Sequence, residues 1–171
     1  EDLENSVKNN MKDSNDNLQV AGLMMNPDNG GVMAMIGGKN YSSSQFNRAI
    51  SSKRQVGSIM KPILYYSALE NGFTSASTFI SEKTTFNFSN NKTYSPKNYN
   101  DKYANGPISM GTALAYSDNI YAVKTHLFLG TEALRSSAKI MGIKEKLPNN
   151  VSLALGTSEL TMLDFSNAFG T

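Results

Sequence analysis

The sequence contains no cysteine and a single histidine, His126. Without cysteine there can be no disulfide, no thiolate nucleophile and no Cys-based zinc site, and one histidine does not support a His-centred triad or a multi-histidine metal centre. Long apolar runs are missing too. No stretch approaches the roughly 18 residues that a membrane-crossing helix needs, so any membrane anchor is expected to lie outside this sequence. The opening residues Glu1-Asp2-Leu3-Glu4-Asn5 are polar and acidic, unlike the basic and then apolar order of a secretory signal. Nor does one sign of charge prevail. The 16 basic and 14 acidic residues leave a formal net charge of +2, scattered without long basic runs, so there is no electrostatic footprint for nucleic acid. Glu70, Glu82 and Asp101 show no paired spacing for two-carboxylate hydrolysis and read as solvated surface. No cofactor box or metal-ligand set is evident, so chemistry has to use hydroxyls, amines and amides.

What is present suits an ordinary globular domain: 171 residues, 39% hydrophobic and 18% charged. Leu3, Val7 and Met11 recur every four residues, which predicts an amphipathic helix to about residue 15 that covers a sheet. Two apolar runs, residues 18–25 and 32–36, flank the turn cluster Asn26-Pro27-Asp28-Asn29-Gly30-Gly31 and read as a β-hairpin. Residues 39–56 read as loop with a short helical stretch, their aromatic side chains packing locally. A helix is expected from Ser58 to Asn71, led in by Gly57 and closed by Gly72, with Pro62 in its first turn, where a missing N–H costs little. Residues 74–107 read as a long surface excursion with one strand at 84–88. Beyond it come helices at 108–116, 120–129 and 132–141, a buried connector at 153–156, and one more helix starting at Thr161. The methionines, four of them in the hairpin, and the Phe and Tyr residues read as core filling. His126 reads as a surface or packing residue.

Two short motifs could carry chemistry. Gly57-Ser58-Ile59-Met60-Lys61 opens a helix, and the three-residue spacing puts the Ser58 hydroxyl and the Lys61 amine on one face. A serine hydroxyl needs a base to remove its proton, and a lysine serves once desolvation or nearby positive charge lowers its pKa. The same Ser-x-x-Lys spacing occurs at Ser89 to Lys92 and Ser136 to Lys139. Those matches fall in a polar loop and inside an amphipathic helix, whereas Ser58 follows glycine at a helix start. The second motif, Ser117-Asp118-Asn119, falls at a break between two helices. There Ser117 could relay a proton, and Asn119 either binds a peptide-like substrate through its amide or caps the helix that begins at Ile120, the cap being the commoner role.

In this order the motifs resemble the penicillin-recognising serine enzymes, whose pattern is Ser-x-x-Lys, then Ser-x-Asn, then Lys-Thr-Gly. Residues 34–41, 44–49 and the run Arg54-Gln55-Val56-Gly57-Ser58-Ile59-Met60-Lys61-Pro62 are similar to the transpeptidase domain of bifunctional class A penicillin-binding proteins. So are Tyr94-Ser95-Pro96-Lys97-Asn98-Tyr99, residues 113–119 and residues 153–159. The resemblance implies an α/β (α+β) fold with an antiparallel sheet flanked by helices, and a peptidoglycan cross-linking enzyme at the extracytoplasmic face of the bacterial membrane. It implies Ser58 as the acylated nucleophile, Lys61 as its base, Ser117 as a proton shuttle and Asn119 as a ligand of the substrate amide. The partners it implies are a peptidoglycan stem peptide and β-lactam antibiotics, with no cofactor, no metal and no nucleic acid. Asp118 is variable in the motif and is given no role. No Lys-Thr-Gly or Lys-Ser-Gly follows Ser-x-Asn, since Lys124-Thr125 is followed by His126. Residues 1–171 are therefore expected to be the N-terminal part of one transpeptidase domain, incomplete in this chain, with a second polypeptide as one source of the rest. A β-lactam sensor or β-lactamase of the same fold, or a non-catalytic fragment, are the competing readings.

Overall fold

The structure, a computed structural model, describes residues 2–12, 15 and 17–170. In chain order these form α1 (Asp2–Asn10), β1 (Gly22–Met25), β2 (Val32–Ile36), α2 (Arg48–Ser51), β3 (Arg54–Gln55), α3 (Lys61–Glu70), β4 (Thr78–Ser81), β5 (Phe86–Phe88), β6 (Lys92–Tyr94), β7 (Gly106–Ser109), α4 (Met110–Ala115), α5 (Asn119–Leu129), α6 (Thr131–Ile140), β8 (Glu159–Leu160) and α7 (Met162–Phe169). Short 3-10 turns lie at Gly57–Met60, Ser89–Asn91, Tyr99–Asp101 and Val151–Leu155. Among the described residues the strands pair antiparallel, two by two, as β1–β2, β3–β8, β4–β7 and β5–β6. The chain divides into two compact units, one of residues 1–55, 139–146 and 159–171, the other of residues 56–138 and 147–158.

In the first unit the hairpin forms where the turn cluster places it, with Gly22 opposite Ile36 and a bulge between Met24 and Met25. The Asn26 side chain accepts from the Asp28 amide at 2.8 Å, the local bond that makes asparagine a turn residue. α1 packs on β2 through the buried Val7, and α7 packs on β1 and α2. The helix expected to about residue 15 ends at Asn10, and residues 13 and 14 lie outside those described. Asn47 caps the one-turn α2 by accepting from the Ala49 amide at 3.0 Å. Tyr41 and Phe46 are exposed rather than packed, although the Arg48 guanidinium stacks 5.4 Å from the Phe46 ring. Of the hairpin methionines, Met24 and Met33 point outward, contrary to the core reading. A strand alternates sides, so a run of methionines in a two-stranded ribbon cannot all face inward.

The second unit is built around α3 and α5 with the 3-10 turn at Val151–Leu155. Met60, Ile63, Leu64, Ile120, Val123, Leu134 and Leu153 are almost wholly buried, each stabilising the fold by about 1.5–3 kcal/mol relative to exposure. Tyr121 meets Tyr65 and Phe79 edge-on, with centroids 5.9 Å and 5.2 Å apart. His126 is fully buried on α5 rather than partly exposed, its Nε2 3.2 Å from the Asn150 carbonyl oxygen, so the packing role holds. Core filling fails for Tyr99, Tyr116 and Phe128, which are largely exposed.

Two expectations are corrected here. The region read as a surface excursion holds β4, β6 and β7 besides the expected strand, and Ile108 belongs to β7 rather than to the following helix. Strands of three or four residues are too short to show alternation, and β4 finds β7 only in three dimensions, with Pro107 opposite Ile80. The second correction concerns the start of the expected Ser58 helix. Residues 57–60 form a 3-10 turn, and α3 proper begins at Lys61. An α-helical bond to the Ser58 carbonyl would have to come from the amide of residue 62. That residue is proline and has no N–H, so Lys61 supplies the tighter bond instead.

The approach to this turn depends on two glycines. Gly57 (φ 62°) donates to the Gly156 carbonyl at 2.9 Å, and Gly156 itself has φ 70°. A Cβ on Gly156 would lie 1.9 Å from the Gly57 carbonyl oxygen. Gly156→Ala is therefore expected to lower the unfolding free energy by more than the roughly 1–2 kcal/mol that a left-handed residue costs. Chemical denaturation of the two proteins measures it, and equal stabilities would show that the backbone yields here.

Candidate active site

The four residues singled out from the sequence meet at one amine. Lys61 Nζ lies 3.2 Å from Ser58 Oγ, 2.9 Å from Ser117 Oγ, 2.6 Å from the Ser117 carbonyl oxygen and 2.6 Å from Asn119 Oδ1. In a 3-10 turn residues i and i+3 eclipse, which sets the Ser58 and Lys61 side chains one above the other. Ser58 is solvent-exposed whereas Lys61 is 1% exposed, so a reagent can reach the hydroxyl while the amine stays out of water.

Proton accounting at Nζ follows from the partners. The Ser117 carbonyl only accepts. Asn119 Oδ1 also only accepts, because the Asn119 Nδ2 group donates to the Lys97 carbonyl at 2.7 Å and so fixes the orientation of the amide. These two acceptors occupy two N–H bonds. The third position faces the two hydroxyls, and in the neutral amine it is a lone pair that can accept a proton from one of them. Burial lowers the Lys61 pKa from 10.5 to about 8, with the Asp118 carboxylate pulling the other way. The other two Ser-x-x-Lys matches gather no such partners: Ser89 and Ser136 are exposed on a 3-10 turn and on α6.

Ser117 reaches the amine with two oxygens because of how α4 ends. The Asp118 amide donates to Ala113 O at 2.9 Å and the Ser117 amide to Leu114 O at 3.1 Å, a Schellman arrangement with Ser117 in the left-handed position where glycine is usual. Its φ is 55°. A serine there carries strain that glycine would avoid, and in return both its carbonyl and its hydroxyl turn toward Lys61.

Asp118, left without a role in the sequence reading, caps α5: its Oδ1 accepts from the Tyr121 amide at 2.7 Å. The helix thus starts at Asn119, and the cap proposed for Asn119 belongs to its neighbour. Asp118 is buried, and its Oδ2 also accepts from the Ser81 hydroxyl and, at 2.7 Å, from Asn98 Nδ2. Asn98 Oδ1 in turn accepts from the Asn119 amide at 2.8 Å. Sequence reasoning missed Ser81, Asn98 and the Lys97 carbonyl as members of this site. The pairing of 97–98 with 119 is long-range, although the Ser95-Pro96-Lys97-Asn98 run was visible as part of the resemblance.

A family model described as "Penicillin binding protein transpeptidase domain" matches residues 20–156. Penicillin-binding protein 2D of Bacillus subtilis (strain 168) is 48% identical over 153 residues, covering 89% of this chain and 22% of that protein. The crystal structure of penicillin-binding protein 1A from Haemophilus influenzae is 33% identical with a TM-score of 0.83, over 89% of this chain and 23% of that one. Penicillin-binding protein A from M. tuberculosis, solved as an imipenem acyl-enzyme complex, is 24% identical with a TM-score of 0.67 over 77% of this chain and 35% of that one, a likeness of fold alone. The chain thus spans about a fifth of the length of the first two proteins. Its mixture of helices and antiparallel strands agrees with the α/β fold expected from the sequence, here an incomplete one.

The strain at Ser117 is measurable apart from any reaction. Ser117→Gly and Ser117→Ala both remove the hydroxyl, but only glycine relaxes in the left-handed region, so the glycine variant is expected to be more stable by about 1–2 kcal/mol. Denaturant unfolding of the two variants gives the difference, and equal midpoints would mean that the strain is absent.

Proposed function

The chain belongs to the penicillin-binding protein transpeptidase family, and from that premise we propose that it carries the nucleophile-bearing, N-terminal part of a serine-type D,D-transpeptidase domain that cross-links peptidoglycan stem peptides. The observation that carries this reading is the buried Lys61 amine within hydrogen-bonding reach of the Ser58 hydroxyl.

In the proposed reaction neutral Lys61 accepts the Ser58 proton as Oγ attacks the carbonyl carbon of the penultimate D-alanine. The tetrahedral adduct collapses to a serine ester, and the terminal D-alanine leaves as an amine after receiving a proton from the Lys61–Ser117 pair. A stem-peptide amine then attacks the ester, gives up its proton to the same pair and frees Ser58, so no net proton is gained or lost. Asn119 is proposed to bind the backbone of the donor peptide through Nδ2, whose present partner is the Lys97 carbonyl. A base so positioned supplies roughly 10²–10⁴-fold in rate. β-Lactams are proposed to enter as donor mimics and to stop at the Ser58 ester; the M. tuberculosis protein was solved as an imipenem acyl-enzyme complex.

The rest of the domain, with the Lys-Thr-Gly or Lys-Ser-Gly strand that binds the substrate carboxylate, is proposed to be supplied by sequence other than these residues. A second polypeptide is one such source. The site is proposed to work on the extracytoplasmic face of the membrane, where the substrate is, and no described helix is long and apolar enough to cross a membrane. A sensor or β-lactamase would share the acylation step and differ in how fast the ester hydrolyses.

The test is a penicillin adduct on the complete domain, followed by mass spectrometry. Ser58→Ala should abolish the adduct and Lys61→Met should slow its formation by at least about 10²-fold. Because Lys61 acts without its proton and has a pKa of about 8, acylation should quicken as pH rises and level off above pH 8. An adduct that persists in Ser58→Ala, or a rate flat from pH 6 to 9, overturns the assignment.

A further inference from the structure

Asp118 and Asn98 lie outside the proton-transfer steps, yet the hydrogen bonds donated by the Asn119 backbone amide and side chain lead back to them or to their neighbours. The Asn119 backbone amide is held by Asn98 Oδ1 at 2.8 Å and its side-chain Nδ2 by the Lys97 carbonyl at 2.7 Å. Asn98 is oriented in its turn, because its Nδ2 donates to Asp118 Oδ2 at 2.7 Å. A carboxylate accepts only, so this contact decides which end of the Asn98 amide faces Asn119. Asp118 is itself fixed by the Tyr121 amide and the Ser81 hydroxyl. The chain of bonds therefore runs from one buried carboxylate through Asn98 to Asn119, and from Asn119 Oδ1 to Lys61.

We infer that Asp118 and Asn98 are positioning residues of the transpeptidase reaction, a coupled pair that sets the orientation of the Asn119 amide and, through it, the direction in which Lys61 presents its lone pair to Ser58. This rests on the reading of Ser58 as nucleophile and Lys61 as base. If the Asn119 amide turned over, Nδ2 would oppose the lysine amine, two donors would meet, and Lys61 would have to spend its lone pair or move away. The Lys97 carbonyl opposes that turn only while 97–98 is docked, and the docking bonds are those to Asp118 and Asn119 with a longer one, 3.5 Å, from Asn98 Nδ2 to the Ser81 hydroxyl.

Charge makes a second contribution that a purely structural strut would not. Of the groups around Lys61, the field of Asp118 is the one that favours the ammonium. Tyr65 on α3 and Tyr121 on α5 are held neutral by burial, as is His126 on α5. Lys124 on α5 donates to the Ile80 carbonyl, Glu70 is exposed at the far end of α3, and the Lys97 ammonium turns outward to Asp101 at 3.4 Å. α4 and the 3-10 turn at Val151–Leu155 contribute no ionisable side chain. Removing the Asp118 charge should therefore move the Lys61 midpoint below 8.

Asp118→Asn is the informative variant, since asparagine caps a helix as well as aspartate does but sets an Nδ2 donor against the donor of Asn98. Penicillin acylation of Ser58 in the complete domain is expected to slow, by up to the roughly 10²-fold that a displacement of about 1 Å can cost. The midpoint of its pH profile should fall below that of the parent. Asn98→Ala, on a half-buried side chain and safer for folding, should slow acylation as well. The double variant Asn98→Asp with Asp118→Asn restores donor to acceptor in the opposite sense and should recover most of the rate lost in Asp118→Asn. NMR titration of the Lys61 ε-methylene in this chain reads the same midpoint without any reaction. No Ser58 adduct in the parent would overturn the functional reading and this role with it. A parent that is acylated at Ser58, with Asn98→Ala and Asp118→Asn at parental rate and midpoint, overturns the positioning role alone. So does a double variant as slow as Asp118→Asn.

Discussion

The site depends on a lysine amine that water does not reach and that two obligate acceptors hold by two of its hydrogens. Burying an ammonium is costly unless it is paired, and here the charge that acts on it, on Asp118, is linked to it by hydrogen bonds through Asn98 and Asn119 rather than by direct contact. The outcome is a compromise, a lysine whose pKa burial lowers to about 8 yet which keeps every bond position occupied. The same amine links the two motifs: Ser58 on the 3-10 turn, Ser117 and Asn119 around the start of α5.

Strain and packing around the amine are arranged to the same end. A serine in a left-handed position ends α4, and a carboxylate that caps α5 also anchors Asn98. Neither choice is what helix stability alone would select at every point. Glycine would end α4 more cheaply, and a cap needs only one of the two carboxylate oxygens. The second oxygen of Asp118 goes to Ser81 and Asn98, and the hydroxyl of Ser117 goes to Lys61.

Much of this was legible in the sequence because it is local. The hairpin rests on a turn cluster within six residues, α7 on Thr161 as its cap, and the Ser58–Lys61 contact on a spacing that brings the side chains together in an α-helix or a 3-10 turn. The helices α3 and α5 were legible as apolar segments closed by Gly72 and Gly130, but not their packing against each other. What escaped was long-range or lay in the backbone. β4 and β7 recognise each other across an intervening segment with its own small sheet, and nothing in Thr-Phe-Ile-Ser announces that partner. Asp118 looked interchangeable because its function depends on Ser81 and Asn98, residues remote in sequence. Tyr99, Tyr116 and Phe128 were expected inside because aromatic side chains bury well, but composition does not say which of them the core takes, and these three are largely exposed.

Pro62 shows how a missing atom can set the angle between two side chains. An α-helix advances 3.6 residues per turn and a 3-10 helix 3.0, so over three residues the two differ in phase by about 60°. A residue with an amide hydrogen at 62 could draw the Ser58 carbonyl into an α-type bond and swing the hydroxyl around the helix axis by that amount, still beside the amine but out of eclipse with it. The pyrrolidine ring keeps the two side chains in phase by having nothing to donate.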